Sequence, residues 1–306
     1  MIVEVSRRNE NNKLILKNMK IRKAILPVAG FGTRFLPATK AQPKEMLPVL
    51  NKPAVQYVVE NVVAAGIEEI IFVTGRGKRA IEDHFDIAYE LEDKLAEKNK
   101  TDLLEELKKI QGLAKFSYVR QSHQLGDGHA VLQAAHLVGN EPVVVVFGDT
   151  VYDSKVPIVK QLIETYEKYN DPVIGLTEVS REEVHKFGVY SGIKLDESTI
   201  EVKQLVEKPK NEDAPALTVT PGAYVITPEV FEVLSTIEHG NSGEIRLIDA
   251  FEIMMKSGKP LYGKILEGTW LDTGDPFNLL RVSIYLGLKH PEIGDKLRAY
   301  LKTLKI

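Results

Sequence analysis

The sequence predicts an α/β protein built on a doubly wound, mostly parallel mixed sheet. Three observations lead there. Short apolar runs end in glycines or polar residues; they alternate with segments whose apolar positions recur at helical spacing; and one run, residues 143–147 (VVVVF), has no polar position to face water. Strands buried on both faces read as continuous apolar runs, and parallel neighbours need a crossover between them, usually a helix. The chain has 306 residues, 43% of them apolar, which allows one large domain or two modest ones.

Residues 1–18 (MIVEVSRRNENNKLILKN) are polar and unlike the rest, and read as a flexible extension; the ordered pattern begins at Met19-Lys20-Ile21. Residues 24–28 form the first buried strand. Pro53 is expected to open a helix at its first position, where the missing N–H does no harm. Ala54, Val55, Val58, Val59, Val62 and Val63 make one apolar stripe along that helix, and Gly66 stops it. Residues 70–74 are the next strand, and 143–147 a central one. Residues 87–113 interrupt this rhythm as a charged helical insertion. Its apolar face, with Leu91, Leu95, Leu103, Leu104 and Leu107, should pack on the domain edge or on a second subunit. Beyond residue 180 the texture becomes that of a mixed sheet with longer loops. Strands are expected at 187–195 and 199–206, joined by a turn near Asp196, and at 222–227, followed by a helix from Pro228. Residues 276–289 and 292–304 read as C-terminal helices.

Composition narrows the function classes. A net charge of −3 without a basic block argues against a general nucleic-acid binder. The absence of cysteine excludes disulfides and thiolate chemistry. No apolar run approaches the ~20 residues of a membrane span, and no signal-peptide core is visible. A soluble cytoplasmic protein is expected.

The strongest local signal is Ala29-Gly30-Phe31-Gly32-Thr33-Arg34-Phe35-Leu36-Pro37, directly after the first strand. Glycines there let the backbone approach a ligand and turn N–H groups towards phosphate oxygens. Arg34 adds a bidentate cation. Phe35 stands where a dinucleotide fingerprint would need its third glycine, which argues against a dehydrogenase. Pro43-Lys44-Glu45-Met46-Leu47-Pro48 follows, its prolines stiffening a loop that offers Lys44 as a counter-charge for a triphosphate. Asp149 closes the apolar run 143–147, at the strand edge where open parallel sheets bind ligands. A hard cation needs one or two carboxylates besides phosphate oxygens and water, and Asp149 and Asp272 could supply two. Asp272-Thr273-Gly274 also makes a good turn. Lys208 precedes Pro209 and is expected to be extended. His123, His129 and His136 do not converge on one site by spacing and are read as structural or surface residues.

With these motifs in order, AGFGTRFLPATKAQPKEMLP resembles the signature of the sugar nucleotidyltransferases, and the resemblance runs from about Lys23 to about residue 290. It implies a Rossmann-like nucleotidyltransferase domain over residues 19–290. The nucleotide-binding half would span about 19–155 and the sugar-binding half about 156–275, with a C-terminal helical segment at 276–306. It implies Arg34 and Lys44 as the cations at the triphosphate and reaction centre, and Ala29, Gly30, Gly32, Thr33 and Glu45 around the nucleotide. Gln121 would read a pyrimidine edge, and Gly126 would let the base lie against the backbone. Gly188, Glu207 and Lys208 would form the sugar pocket, with Lys208 on the sugar phosphate. Asp149 and Asp272 would hold Mg2+. The implied substrates are UTP and glucose 1-phosphate, and a homo-oligomer (dimer or tetramer) is expected. Branch markers point two ways. Glu45-Met46 and the helical insertion are similar to the uridylyl-transferring branch. Phe147-Gly148-Asp149 and Trp270-Leu271-Asp272-Thr273-Gly274 are similar to the thymidylyl-transferring branch. A dTTP-dependent or other hexose-1-phosphate enzyme stays open, as does a non-catalytic nucleotide-sugar-binding regulator, although the latter has no need of both carboxylates.

Overall fold

In the computed structural model, residues 19–238 and 243–304 are described. The extension expected at residues 1–18 lies outside them. The strands are β1 (Lys23–Pro27), β2 (Pro48–Val49), β3 (Lys52–Pro53), β4 (Glu69–Thr74), β5 (Lys115–Arg120), β6 (Val143–Val146) and β7 (Thr150–Asp153). They continue with β8 (Val173–Glu178), β9 (Gly188–Lys194), β10 (Thr199–Glu207), β11 (Thr218–Val219), β12 (Ala223–Ile226), β13 (Tyr262–Ile265) and β14 (Thr269–Asp272). Ten of them form one sheet in the order β11-β9-β10-β13-β8-β12-β6-β1-β4-β5. Parallel pairing runs through β6, β1, β4 and β5 and returns between β8 and β13; the other pairings are antiparallel. The sheet is therefore mixed, and its continuous parallel part, β6-β1-β4-β5, lies in the first half of the chain, where helices cross between strands.

The helices are α1 (Ala54–Ala64), α2 (Arg79–Phe85), α3 (Tyr89–Glu97), α4 (Thr101–Gln111), α5 (Asp127–Gln133) and α6 (Ala135–Val138). After them come α7 (Ile158–Tyr169), α8 (Pro228–Thr236), α9 (Leu247–Lys256), α10 (Pro276–Lys289) and α11 (Gly294–Thr303). Alternation along the central strands shows the double winding. Ala24 and Leu26 of β1, with Val144 and Val146 of β6, pack against α1 and α7 on one face. Ile25, Val143 and Val145 pack against α5, α8 and α9 on the other. Both faces are apolar because both are covered. Val55, Val58, Val59 and Val62 of α1 are fully buried, each worth roughly 2 kcal/mol in transfer terms.

One local expectation is corrected. Pro53 is the residue before α1, in extended geometry, and not the first helical residue; its neighbour Lys52 is held in the β2–β3 ribbon, which fixes Pro53 as strand. The insertion is a helical hairpin, α3 and α4, leading into the edge strand β5. Leu95, Leu104 and Leu107 are half-buried in it, while Leu91 and Leu103 stay about half exposed and Tyr89 more so. Among the described residues no helix is long and apolar enough to cross a membrane.

Candidate active site

Parallel β1 and β6 end side by side, and the chain leaves each at the same edge of the sheet. Beyond β1 come Ala29 and Gly30; beyond β6 come Gly148 and Asp149. A short turn at Lys44–Met46 sits over both ends. The result is a cleft of about 320 Å3 lined by Ala29, Gly30, Lys44, Gln121, Gly126 and Asp149, with Glu45 at its side. Six of the residues expected around the nucleotide and metal thus meet in one cavity with Glu45, although they are spread over 120 positions of sequence.

The electrostatics of the cleft are set by two ion pairs. Lys44 Nζ donates to Asp149 Oδ2. Burial pulls the Lys44 ammonium down, but Asp149 and Glu45 outweigh it and hold the lysine above its ordinary value. Burial likewise pushes the Asp149 carboxyl up, and the Lys44 charge and hydrogen bond more than reverse this, so Asp149 stays ionised below the usual range. Behind them Lys78 Nζ donates to Glu45 Oε2 at 2.8 Å, with side-chain exposures of 6% and 2%. Burial raises Glu45 despite Lys78 and Lys44. Glu45 is also wedged against the second turn: a Cβ on Gly148 would stand 3.1 Å from Glu45 Cγ and 2.5 Å from Val28 Cγ1.

Asp272 reaches the same neighbourhood from another sheet. β14 pairs antiparallel with β7, Asp272 facing Thr150, and Thr273 Oγ1 donates to the Asp149 carbonyl at 3.1 Å. The Asp272 carboxylate accepts from the Gly274 N–H at 2.9 Å and from Asn278 Nδ2 at 2.8 Å. Burial raises its pKa, the Gly274 N–H opposes this, and Asp149 and Asp275 raise it further. Two mutually repelling acids are a place for a cation. Among the described residues no group of three or more metal-binding side chains gathers anywhere. Two carboxylates with room for phosphate oxygens and water suit a hard divalent ion, not a closed protein cage.

Glutamine and glycine fill the far end of the cleft. Gln121 is buried, and its Nε2 donates to the Gly126 carbonyl at 3.0 Å and faces His129 Nδ1 at 3.0 Å. His129 is thus structural, as expected. Gly126 has φ of 105°, and a Cβ there would meet the Ile245 carbonyl oxygen at 2.4 Å. Its glycine is demanded first by the backbone of Ile245, which lies against it.

Gly188, Glu207 and Lys208 meet in a second, smaller cavity of about 140 Å3. Antiparallel pairing of β9 with β10 sets Gly188 opposite Glu207, and a Cβ at Gly188 would stand 3.1 Å from Glu207 Oε2. Arg246 Nη1 donates to Glu207 Oε1 at 3.2 Å. Lys208 is not extended: its φ is 46°, in the left-handed region. Proline at 209 disfavours the right-handed helix at Lys208 but leaves this region accessible, and the Lys208 N–H is held by the Phe187 carbonyl at 3.0 Å.

Four expected residues do not line this first cleft. Thr33 and Arg34 are exposed on the glycine turn, Arg34 acting on Asp149 and Asp272 through its charge. Gly32 has φ of 66° and packs on Lys44, whose Cβ would lie 3.0 Å from a Cβ at 32. Asp272 opens on a neighbouring cleft with Asn278 and Trp270. Sequence reasoning missed Lys78, Asp127, Phe147 and Arg246. Lys78 carried a signal, since Gly75-Arg76-Gly77-Lys78 repeats the pattern of a glycine turn and a cation after a strand. Arg246 carried none, being brought to Glu207 only by the packing of α9.

Comparison with known proteins identifies the family. The family model described as nucleotidyl transferase matches residues 23–286. The UTP–glucose-1-phosphate uridylyltransferase of Staphylococcus epidermidis is 48% identical over 94% of this chain and 99% of its own. A UTP-bound UGPase from Acinetobacter baumannii superposes with a TM-score of 0.86 at 35% identity, covering 94% of this chain and all of that one. A UDP-glucose pyrophosphorylase complexed with UDP-glucose superposes with a TM-score of 0.81 at 40% identity, covering 89% and 100%.

Proposed function

The chain belongs to the nucleotidyl transferase family, and on that premise we propose that it makes UDP-glucose and pyrophosphate from UTP and glucose 1-phosphate. The observation that carries this is the pair of adjoining cavities. One holds Lys44, Asp149, Gln121 and Gly126, and the other Glu207, Arg246 and Lys208. Its relatives carry the names of that reaction over almost their whole length.

In this reading a phosphate oxygen of glucose 1-phosphate attacks the α-phosphorus of UTP. The new P–O bond forms as the bond to the β-phosphate oxygen breaks, and pyrophosphate leaves with the electron pair. The nucleophile is already ionised, so the protein has to position and neutralise rather than supply a base. Lys44 sits at the reaction centre and exchanges part of its bond to Asp149 for phosphate oxygens as charge grows on the leaving side. Arg34 serves the same side from the exposed face of the glycine turn. Gln121 and the backbone at Gly126 hold the base, with Ala29, Gly30, Gly32, Thr33 and Glu45 around the phosphates and ribose. Lys208 takes the sugar phosphate, and Gly188 and Glu207 the pyranose. Asp149 and Asp272 would hold Mg2+, which when bound supplies charge neutralisation to the phosphate oxygens.

Residues 19–155 then serve the nucleotide and 156–275 the sugar, and the C-terminal segment expected at 276–306 contributes α10, whose Asn278 braces Asp272 on the metal side. The half-exposed leucines of the α3–α4 hairpin suit assembly with a second copy of the chain, as dimer or tetramer. The cysteine-free sequence fits a cytoplasmic setting. The test is pyrophosphate release over a grid of nucleoside triphosphates and hexose 1-phosphates with Mg2+. UTP with glucose 1-phosphate is expected to give the highest kcat/KM. A preference for dTTP would move the chain to the thymidylyl-transferring reading, and no release with any pair would leave a nucleotide-sugar-binding regulator.

A further inference from the structure

Asp127 and Phe147 are the two residues that line both cavities. Phe147 is an apolar wall. Asp127 is a carboxylate at the join, and nothing in the reaction described so far uses it. Its Oδ1 accepts from the Leu247 N–H at 2.8 Å, and the Gly128 N–H supports it as well. A helix-capping aspartate would account for those bonds, since Leu247 opens α9. It would not account for the position.

A cap is ordinarily at the surface, where water completes the carboxylate. Here the groups around it belong to the smaller cavity. Glu207 of β10, Arg246 before α9, Tyr190 of β9 and Tyr224 of β12 all act on it or are acted on by it electrostatically. Burial, with Glu207 adding to it and the two N–H groups and Arg246 opposing, pushes Asp127 up to about 6. Arg246 is already committed to Glu207 and Asp249. A half-buried carboxylate with two N–H donors, whose nearest cation is shared twice over, keeps acceptor capacity to spare, and a polyhydroxylated ligand supplies further donors.

We propose that Asp127 is a specificity-determining residue that accepts a hydroxyl of the pyranose in the smaller cavity, beside Glu207. The inference rests on the reading of that cavity as the sugar subsite. Two carboxylates on one small pocket read hydroxyls as donors, and a site built to hydrogen-bond a hydroxyl rejects the analogue that lacks it. In its ionised form Asp127 is the stronger acceptor, so discrimination weakens as pH falls through about 6.

The experiment pairs a variant with altered substrates. Asp127→Asn keeps an oxygen for the Leu247 N–H and removes the charge. Steady-state kinetics would be taken with glucose 1-phosphate and its 2-, 3-, 4- and 6-deoxy analogues, with direct UTP binding and thermal melting alongside. The unaltered protein is expected to disfavour one deoxy analogue by about ten- to a hundredfold in kcat/KM, and Asp127→Asn to lose most of that one ratio while UTP affinity stays within about twofold. If every ratio is the same in both proteins, the carboxylate only caps α9 and the proposal is overturned. A second measurement needs no variant: the ratio of glucose 1-phosphate to the disfavoured analogue in the unaltered protein, followed from pH 5 to 8. Titration of the sugar phosphate, near about 6, cancels in that ratio, so a flat profile with intact discrimination would also overturn the role. Lys208→Ala separates the two levels. If it leaves the KM for glucose 1-phosphate unchanged, the sugar-subsite reading itself has failed, whatever Asp127 does.

Discussion

In the larger cleft the lysines are matched before any ligand arrives: Lys44 with Asp149, and Lys78 with Glu45 at 2.8 Å and almost no exposure. In the smaller cavity Lys208 leaves 62% of its side chain exposed and stands 3.7 Å from Glu207. The first arrangement holds three turns in register without substrate, because the Lys44–Met46 turn is tied through Lys44 to Asp149 after β6 and through Glu45 to Lys78 after β4. The second holds a point charge on a loop end, free to meet a mobile phosphate. A preformed ion pair is costly to break, and a solvated lysine costs little to remove. The two cavities should therefore fail differently when mutated.

The largest difference is expected in stability. Lys78→Met leaves Glu45 buried and unpaired and should cost about 3–5 kcal/mol. Lys208→Ala, half in water, should stay within about 0.5 kcal/mol. Urea unfolding of the two variants measures both, and similar losses would erase the contrast. Next in size is turnover. Asp149→Asn keeps the shape of the cleft but removes the charge that Lys44 and Asp272 are arranged around, and turnover should fall by roughly a hundredfold or more. Near-normal turnover at saturating Mg2+ would remove Asp149 from the metal site. The smallest effect sharpens the division of labour. Lys208→Ala should raise the KM for glucose 1-phosphate by about tenfold and leave that for UTP alone, whereas Lys44→Ala should depress kcat. Paired titrations of each substrate decide it, and a rise in the UTP constant alone for Lys208→Ala would reassign the smaller cavity.

The two regions also differ in how far they could be read in advance. The larger cleft is written in short contiguous motifs: a strand, then glycines, then a cation. The local rules of buried strands and tight turns apply directly, and Gly30, Lys44, Asp149 and Gln121 come together in one cleft. The smaller cavity is assembled from residues far apart. Arg246 meets Glu207 across 39 positions and Asp127 meets Leu247 across 120, and no local pattern marks either pair. The backbone at Lys208 shows the limit in miniature. Proline at 209 excludes one conformation, and the Phe187 carbonyl selects between those that remain.

By itself the sequence determined the apolar strands, the helices between them, the glycine turn after β1 and the residue types able to handle phosphate. These follow from periodicity and backbone sterics, which act over a few residues. Only the tertiary structure decided which charges became partners. It buried Lys78 on Glu45, brought β14 beside β7 so that Asp272 faces the Asp149 turn, and set Asp127 in the wall between two cavities. Burial and proximity are properties of the packed sheet, and they set which carboxylates stay charged and which are pushed towards their neutral form.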